Sequence, residues 1–210
     1  MGWMCSWIAV KGVAKGELLK VLDLAETGEV VEPGGRTARI CCGVRPDGWV
    51  VLFSEDFDWG DEQRVLDLSR LGPTVGCQFE DKVEMTSIAC GAENGVELWR
   101  VAHRNDPIYR LDVSGNLPAE FAEIRARHFR EQEEDGGEAS STDFIHDVPL
   151  ELAKSVCGYR ADDDQETVFV ALEGARSFLG SRESSGMSFL DKLLAPFKPR
   201  PSGWPTPYDD

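Results

Sequence analysis

Short apolar runs separated by turn residues dominate the first part of the chain. They occupy 6–12, 38–44, 48–54 and 74–80. Runs of this length, bounded by glycine, proline and aspartate, are typical of β-strands. A Pro-Asp-Gly turn at 46–48 separates the second run from the third, so these two predict a β-hairpin.

A second hairpin is predicted around the Asn-Gly pair at 94–95, which lies between two apolar runs. Asn-Gly is the strongest short-range hairpin signal. A two-residue turn there places Cys90 opposite Trp99 and puts His103 on the same face of the hairpin as Cys90. Four residues along the ladder separate the two, about 13 Å. A thiol and its base must lie within roughly 3 Å, so no Cys–His dyad is expected.

Helical spacing of apolar residues alternates with these strands. It predicts helices at 14–24, 61–72, 117–134 and 148–157. Two further strands are predicted at 109–115 and 167–173. Strands joined by tight turns pair in antiparallel fashion, so we predict an α+β domain with a mainly antiparallel β-sheet and several packed helices.

Residues 1–174 are assigned to this single domain, and 175–210 to a C-terminal extension rich in glycine, serine and proline, with one short helix at 188–197. No stretch approaches the roughly 18 apolar residues that a membrane span needs. The opening MGWMCSWIAVKG lacks the charged start and long apolar run of a secretory signal. We therefore expect a cytoplasmic protein that does not bind membranes.

The cysteines and histidines give no catalytic or metal-binding motif. None of the six cysteines forms a C-x-x-C pair, so reduced, buried thiols are expected. The three histidines, at 103, 128 and 146, are scattered, and no metal-ligand spacing or phosphate-binding loop accompanies them. We assign no catalytic residue, no metal and no cofactor.

The net charge of the chain limits the classes of partner that it can bind. The chain carries 22 basic and 38 acidic residues, a formal net charge of -16. Such a surface repels nucleic-acid backbones and acidic membranes. A basic protein partner is attracted, with association that weakens as salt rises.

The segment DFIHDVPLELAKSVCGYRADDD, 143–164, combines acids, a histidine and a cysteine. Asp147 precedes a proline, an arrangement typical of a helix start. Cys157 continues the apolar spacing, and Gly158 is the expected helix terminator. Asp143 and His146 remain open as site candidates.

The same segment resembles the pattern D-[YF]-I-F-D-[IV]-P-[LV]-E-L-A…T-G-[FY]-R-H-D of a family of small, acidic, uncharacterised bacterial proteins. SWIAVKG, QFEDKVEMTS, LWRVAH and GNLPAEF match the same group, so the resemblance covers most of 3–165. It implies no activity. His146 stands where the family has an aromatic residue and Ala161 where it has a histidine, which argues against fixed catalytic roles there.

Small acidic bacterial proteins without catalytic motifs are often immunity proteins or antitoxins. Our hypothesis is a protein-binding inhibitor that neutralises a bacterial toxin or effector through an acidic surface. The candidate surfaces are an exposed acidic loop at 131–138, the run 162–164 and an acid-flanked tryptophan at 56–59. Their partner-binding candidates are Asp56, Asp58, Trp59, Glu131, Glu133, Glu134, Asp135, Asp162, Asp163 and Asp164.

The alternative is an enzyme of unrecognised type. Glu80, Asp81 and Glu84 cluster beside the second hairpin, and paired carboxylates can perform acid–base catalysis. Solvated strand ends explain the same residues.

Overall fold

The computed structural model describes residues 3–35, 38–81, 85–104, 110–163 and 166–174. The predicted extension at 175–210, with its short helix, lies outside these residues, as do Glu84 and Asp164. No described helix is long and apolar enough to cross a membrane.

The described residues form strands and helices in an order close to the prediction. The strands are β1 Met4–Lys11, β2 Leu24–Val31, β3 Ile40–Val44, β4 Trp49–Ser54, β5 Thr74–Glu80, β6 Thr86–Glu93, β7 Val96–Arg104, β8 Leu111–Gly115 and β9 Phe169–Gly174. The α-helices are α1 Lys15–Val21, α2 Glu62–Leu68, α3 Phe121–Glu134 and α4 Asp147–Cys157. Two short 3-10 helices span Phe57–Gly60 and Gly137–Ala139.

The nine strands make one sheet in the order β2-β9-β3-β4-β1-β5-β6-β7-β8. Every neighbouring pair is antiparallel. The predicted α+β class with a mainly antiparallel sheet is confirmed.

Helices cover both faces of the sheet. On the first face, Trp7 and Phe53 pack with Leu152 of α4 in one buried cluster. On the second face, Ile8 packs with Leu18 of α1 in the other. Because successive side chains of a strand point to opposite faces, β1 and β4 bury every second residue on each side. Their sequences therefore appear as continuous apolar runs rather than alternating ones.

Strand β2 was not predicted. The helical pattern over 14–24 suggested a longer helix, but α1 ends at Val21 and the chain turns at Asp23, whose φ is 53°. The six residues between Leu24 and Val31 are all exposed. An edge strand with so little burial lacks the apolar periodicity that identifies strands.

The predicted hairpin register is correct only next to the turn. Glu93 pairs with Val96 as expected, but the register shifts between Gly91 and Ala92. Gly91, not Cys90, faces Trp99, and a Cβ on Gly91 would lie 2.1 Å from the indole Nε1 of Trp99. The bulge lets the indole lie over a residue without a side chain.

This shift reverses the predicted faces of β6 beyond the bulge. Cys90 packs on the second face, whereas Val101 packs on the first. Ser87 pairs with His103. The expectation that Cys90 and His103 form no dyad holds, because they lie on opposite faces of the sheet.

Candidate functional site

The polar residues of the 143–164 segment lie in helix α4 and just before and after it. The N–H of His146 donates to Oδ1 of Asp143, at 3.1 Å, just before the helix begins. Asp147 lies in the first turn as predicted. Gly158, with φ 73°, ends the helix and donates its N–H to the carbonyl of Lys154, at 2.7 Å. Cys157 is fully buried, as predicted.

Arg160 is the centre of an ion-pair network that follows α4. Its guanidinium binds Asp162 through two nitrogens, at 2.6 and 2.9 Å, and donates to Oδ1 of Asp147 at 3.0 Å. Glu151 lies 3.9 Å away. Burial lowers the pKa of Arg160, but the hydrogen bond to Asp162 and the charges of Asp147, Asp162 and Glu151 outweigh it, so the pKa is raised overall. The network fixes the turn after α4 against the start of the helix.

Glu151 extends this network from α4 to α3. Its Oε2 accepts a hydrogen bond from Arg127, and its Oε1 lies 3.5 Å from Nε2 of His128. The other ring nitrogen of His128 lies 3.1 Å from Glu131. The acids of α4 are therefore neutralised within the protein.

The described part of the acidic run, Asp162 and Asp163, is paired in the same way. Asp162 binds Arg160, and exposed Asp163 accepts a hydrogen bond from Lys154. That hydrogen bond lowers the pKa of Asp163. As partner-binding residues, Asp162 and Asp163 stay predictions, but their carboxylates already have basic partners.

A buried histidine–carboxylate pair lies between β7 and the start of α4. His103 is fully buried; its Nε2 lies 2.8 Å from Oδ2 of Asp143, and its Nδ1 lies 2.7 Å from the carbonyl oxygen of Arg110. A carbonyl oxygen only accepts hydrogen bonds, so Nδ1 carries a proton. A second proton must lie between Nε2 and Asp143. The pair joins the sheet to α4 and has no exposed atom on its histidine.

His146 is the neighbour of this pair. Its ring centroid lies 4.9 Å from that of Phe79 and 6.2 Å from that of His103. Its Nε2 is buried without a hydrogen-bond partner among the described residues. Burial lowers the pKa of His146, although a hydrogen bond with the backbone of Thr86 opposes the shift. The His146 ring therefore packs here as a neutral aromatic side chain.

Asp143 and His146, the two residues left open by the sequence, thus lie together with His103. Ser87 is the nearest hydroxyl by register, but its Oγ donates to the carbonyl of His146 at 2.7 Å. His103, His146 and Ser87 are all buried. The cluster holds the sheet against the start of α4, and no nucleophile in it faces solvent.

The predicted end of the helix at 134 is confirmed, and it overlaps the exposed loop that was also predicted, at 131–138. Residues up to Glu134 continue the helix. Gln132 is fully buried; its amide nitrogen donates to the carbonyls of Gly137 (2.9 Å) and Thr142 (3.0 Å), and its amide oxygen accepts from Phe144 (2.8 Å). The loop prediction is therefore wrong for 131–134, and one buried amide fixes the chain that follows.

Acidic side chains nevertheless crowd the surface at this helix end, which we call the α3 acidic end. The exposed members are Glu133, Glu134, Asp135 and Glu138. The last turn of α3 contains no basic residue. A helix C-terminus carries partial negative charge, so each acid there is unfavourable by about 0.3–1 kcal/mol.

The third predicted surface, at 56–59, is only partly exposed. Asp56 and Asp58 are exposed, and Oδ1 of Asp56 accepts the N–H of Asp58 at 3.0 Å. Trp59 is buried in the core of the second face, and the guanidinium of Arg64 lies 4.8 Å from its ring centroid. The indole is therefore covered, so a partner could reach the two carboxylates but not the tryptophan ring.

All six cysteines are free and buried, as predicted. Burial raises the pKa of five of them, Cys5, Cys41, Cys42, Cys90 and Cys157, to about 12. The pKa of Cys77 is raised as well, mainly by burial. Thiols that stay protonated are poor nucleophiles and poor metal ligands.

Two of the three carboxylates of the enzyme alternative, Glu80 and Asp81, lie within the described residues. Asp81 accepts a hydrogen bond from the N–H of Trp3 and donates its own N–H to the carbonyl of Trp3, at 3.1 Å. Glu80 lies in β5 opposite Met4 of β1. Asp81 therefore attaches the start of the chain to the sheet.

No protein-family model, no curated protein and no solved structure matches the chain. Within the described ranges, no group of three or more histidine, cysteine, aspartate or glutamate side chains is arranged to hold a metal ion. The candidate site therefore rests on the geometry alone.

Sequence reasoning missed Gln132, Arg160 and the His103–Asp143 pair. A signal for Gln132 exists, because Ile124, His128 and Gln132 are spaced by four residues and lie on one helix face. Polar residues on a face that also carries apolar residues indicate buried hydrogen bonds. No comparable signal joins His103 to Asp143, which lie 40 residues apart.

Proposed function

We propose that the protein binds a basic protein partner through the α3 acidic end. In this proposal it acts in the cytoplasm as an inhibitor of the immunity-protein or antitoxin type, neutralising a bacterial toxin or effector. The observation that carries the proposal is the accumulation of exposed carboxylates at a helix C-terminus without a basic residue in the last turn. Helix electrostatics disfavours this arrangement, so binding is a better reason for it than stability.

The rest of the molecule supports this choice of surface. The acids of α4 are paired with Arg160 and Arg127, and Asp163 beyond the helix is paired with Lys154. Those of the α3 acidic end stand on a helix that buried Gln132 fixes to the following segment. A rigid acidic surface attracts a basic partner over long range and loses little conformational entropy on binding.

The exposed carboxylates of Asp56 and Asp58 are a secondary candidate for the same partner. They lie on the 3-10 helix that packs with the second face, whereas α3 packs with the first. The proposal does not require them. Substituting both by asparagine should leave binding through α3 intact.

Capture from cells of the native bacterium, with the full chain immobilised at low salt, tests the proposal. The two matched variants reverse two exposed acids each on the same helix. E133K/E134K changes the α3 acidic end, and E120K/E123K changes the start of the helix. We expect the unmodified chain and E120K/E123K to retain one basic protein that elutes as salt rises, and E133K/E134K to lose it.

The identity of the retained protein then tests the inhibitor role. Its expression should arrest growth, and co-expression of the present chain should restore it, whereas co-expression of E133K/E134K should not. Equal retention by the two double variants, or retention of nothing specific, would contradict the proposal. A retained protein that is harmless when expressed would leave the binding surface intact and overturn the inhibitor role.

A further inference from the structure

One corner of the second face of the sheet is not covered by a described helix. Helix α1 follows β1 and ends where β2 begins, and between β1 and β2 in the sheet lie β4, β3 and β9. Helix α1 packs on this face of the sheet. It buries Leu24 and Leu172 at the start of β2, and leaves the corner where β2 ends and β9 begins.

Four valines lie at this corner, which we call the valine corner: Val30, Val44, Val168 and Val170. Val170 is the register partner of Val30 on one side and of Cys42 on the other. Val44 lies two residues beyond Cys42 in β3, and Val168 lies two residues before Val170, just outside β9, at the same end. Residues two apart share a face, so the four side chains are neighbours.

These valines are unusually exposed for a shared apolar face. Val30 is 68% exposed, Val168 66% and Val44 47%, and Val170 is half-buried. Single exposed apolar residues are ordinary, but a contiguous group marks an interaction surface. Strand propensity alone does not require valine, since threonine serves equally well on an exposed strand face.

The charged residues around the valine corner indicate which kind of partner can bind there. Glu29 directly precedes Val30, Glu32 lies two residues after Val30, and Glu166 lies two residues before Val168; all three residues are exposed. The basic residue Lys15 of α1 is paired with Glu26 at 2.6 Å. A second copy of this chain would bring the same carboxylates, and a net charge of -16, against one another. A partner with apolar side chains between lysines or arginines is complementary instead.

The partner must dock on the face of the sheet rather than extend its edge. The register of β2 is interrupted between Glu26 and Val30, and Gly28 adopts φ 84°. An interruption of this kind twists an edge strand and prevents regular pairing with a further strand. The exposed valine side chains remain available from the face.

We propose that the valine corner is a docking surface for a basic protein segment with apolar anchors. The apolar side chains cover the four valines, and the lysines or arginines reach the surrounding carboxylates. This surface is separate from the α3 acidic end and lies on the opposite face of the sheet. The proposal therefore stands or fails independently of the inhibitor function.

Methyl NMR of the full chain with labelled valines tests this docking directly. The probe is a synthetic peptide of alternating leucine and lysine pairs, and the control peptide has serine in place of each leucine. We expect the leucine–lysine peptide to shift the methyl signals of Val30, Val44 and Val168, with binding that weakens as salt rises. The serine–lysine peptide should leave them unshifted.

Three single variants make the test specific. Val168→Lys should weaken binding of the leucine–lysine peptide by about tenfold or more, and Val168→Thr should weaken it less. Val113→Lys is the matched control, because Val113 is 47% exposed on β8 at the other edge of the sheet. It should leave binding unchanged. Shifts confined to other residues, equal shifts with the serine–lysine peptide, or equal loss in V113K and V168K would overturn the proposal.

Discussion

Two acidic regions on the first face of the sheet affect the stability of the fold with opposite sign. Around α4, the carboxylates of Asp147, Glu151 and Asp162 surround Arg160. At the α3 acidic end, carboxylates accumulate where the helix dipole is already negative and the last turn has no basic residue. The first group stabilises the fold; the second opposes it. Acidic composition alone therefore does not identify a binding surface.

The same difference separates the predicted partner-binding residues into two groups. Asp162 and Asp163 have basic partners inside the chain, and a basic ligand would have to compete with them. Glu133, Glu134 and Asp135 lie at an electrostatically unfavourable helix end, where the last turn has no basic residue and Asp135 accepts a hydrogen bond from the hydroxyl of Ser140. A basic partner would relieve that repulsion, so binding and stability should respond in opposite directions to charge changes there.

The largest expected effect comes from removing the centre of the α4 network. Arg160→Met leaves several carboxylates without their shared cation, and we expect the free energy of unfolding to fall by about 2–4 kcal/mol. Arg125→Met is the control, since that guanidinium lies over the ring of Phe129 at 4.6 Å and should cost less than about 1 kcal/mol. Urea denaturation measures both. A smaller loss for Arg160 than for Arg125 would contradict the account of the network.

Gln132→Leu should have the next largest effect, about 1–3 kcal/mol, because two carbonyl groups and one N–H lose their partner. Binding to the basic partner should weaken too, although no charge changes, since the α3 acidic end loses its rigid support. Hydrogen exchange at residues 137–144 is expected to increase. Unchanged exchange there would mean that Gln132 does not hold the segment.

His146→Phe should alter the pH dependence of stability. Burial lowers the pKa of His146 in the folded protein, while in the unfolded chain it titrates near 6.5. As pH falls below about 6.5 the unfolded state takes up the proton first, so stability is lost on acidification. The phenylalanine variant cannot take up this proton. Unfolding free energies from pH 7.5 to 5 should fall less steeply for the variant; equal slopes would contradict this role of His146.

The smallest expected effect compares the two ends of α3. Glu134→Lys should raise the free energy of unfolding by about 0.3–1 kcal/mol, because it places a cation at the negative helix end. Glu123→Lys, in the first turn, should lower it by a similar amount. Thermal unfolding at low salt measures both shifts, and high salt should reduce them. Shifts of the same sign would contradict the electrostatic account.

The sequence predicts the regular elements well where burial gives a periodic pattern. The bounds of β5 match the predicted run 74–80, and Gly158 ends α4 as expected. Prediction failed where burial was low or one residue was inserted. Strand β2 has an exposed centre, and Gly91 begins a register shift that only the close approach of Trp99 explains.

The candidate site was harder to predict, because contacts distant in sequence decide which acids are neutralised. The run of acids after Tyr159 looks free in the sequence, yet Arg160 and Lys154 pair with it. Trp59 looks like an exposed anchor among acids, yet Arg64 covers it. Local composition shows where charge is concentrated but not where the fold neutralises it.

One charge reversal in each acidic region tests the central claim most directly. Once the basic partner is captured, its affinity is measured for the unmodified chain, for Glu134→Lys and for Asp163→Lys, at the same low salt. The account predicts about tenfold weaker binding for E134K and nearly unchanged binding for D163K. Equal losses would mean that only net charge matters, and a larger loss for D163K would place the binding surface beside α4 instead.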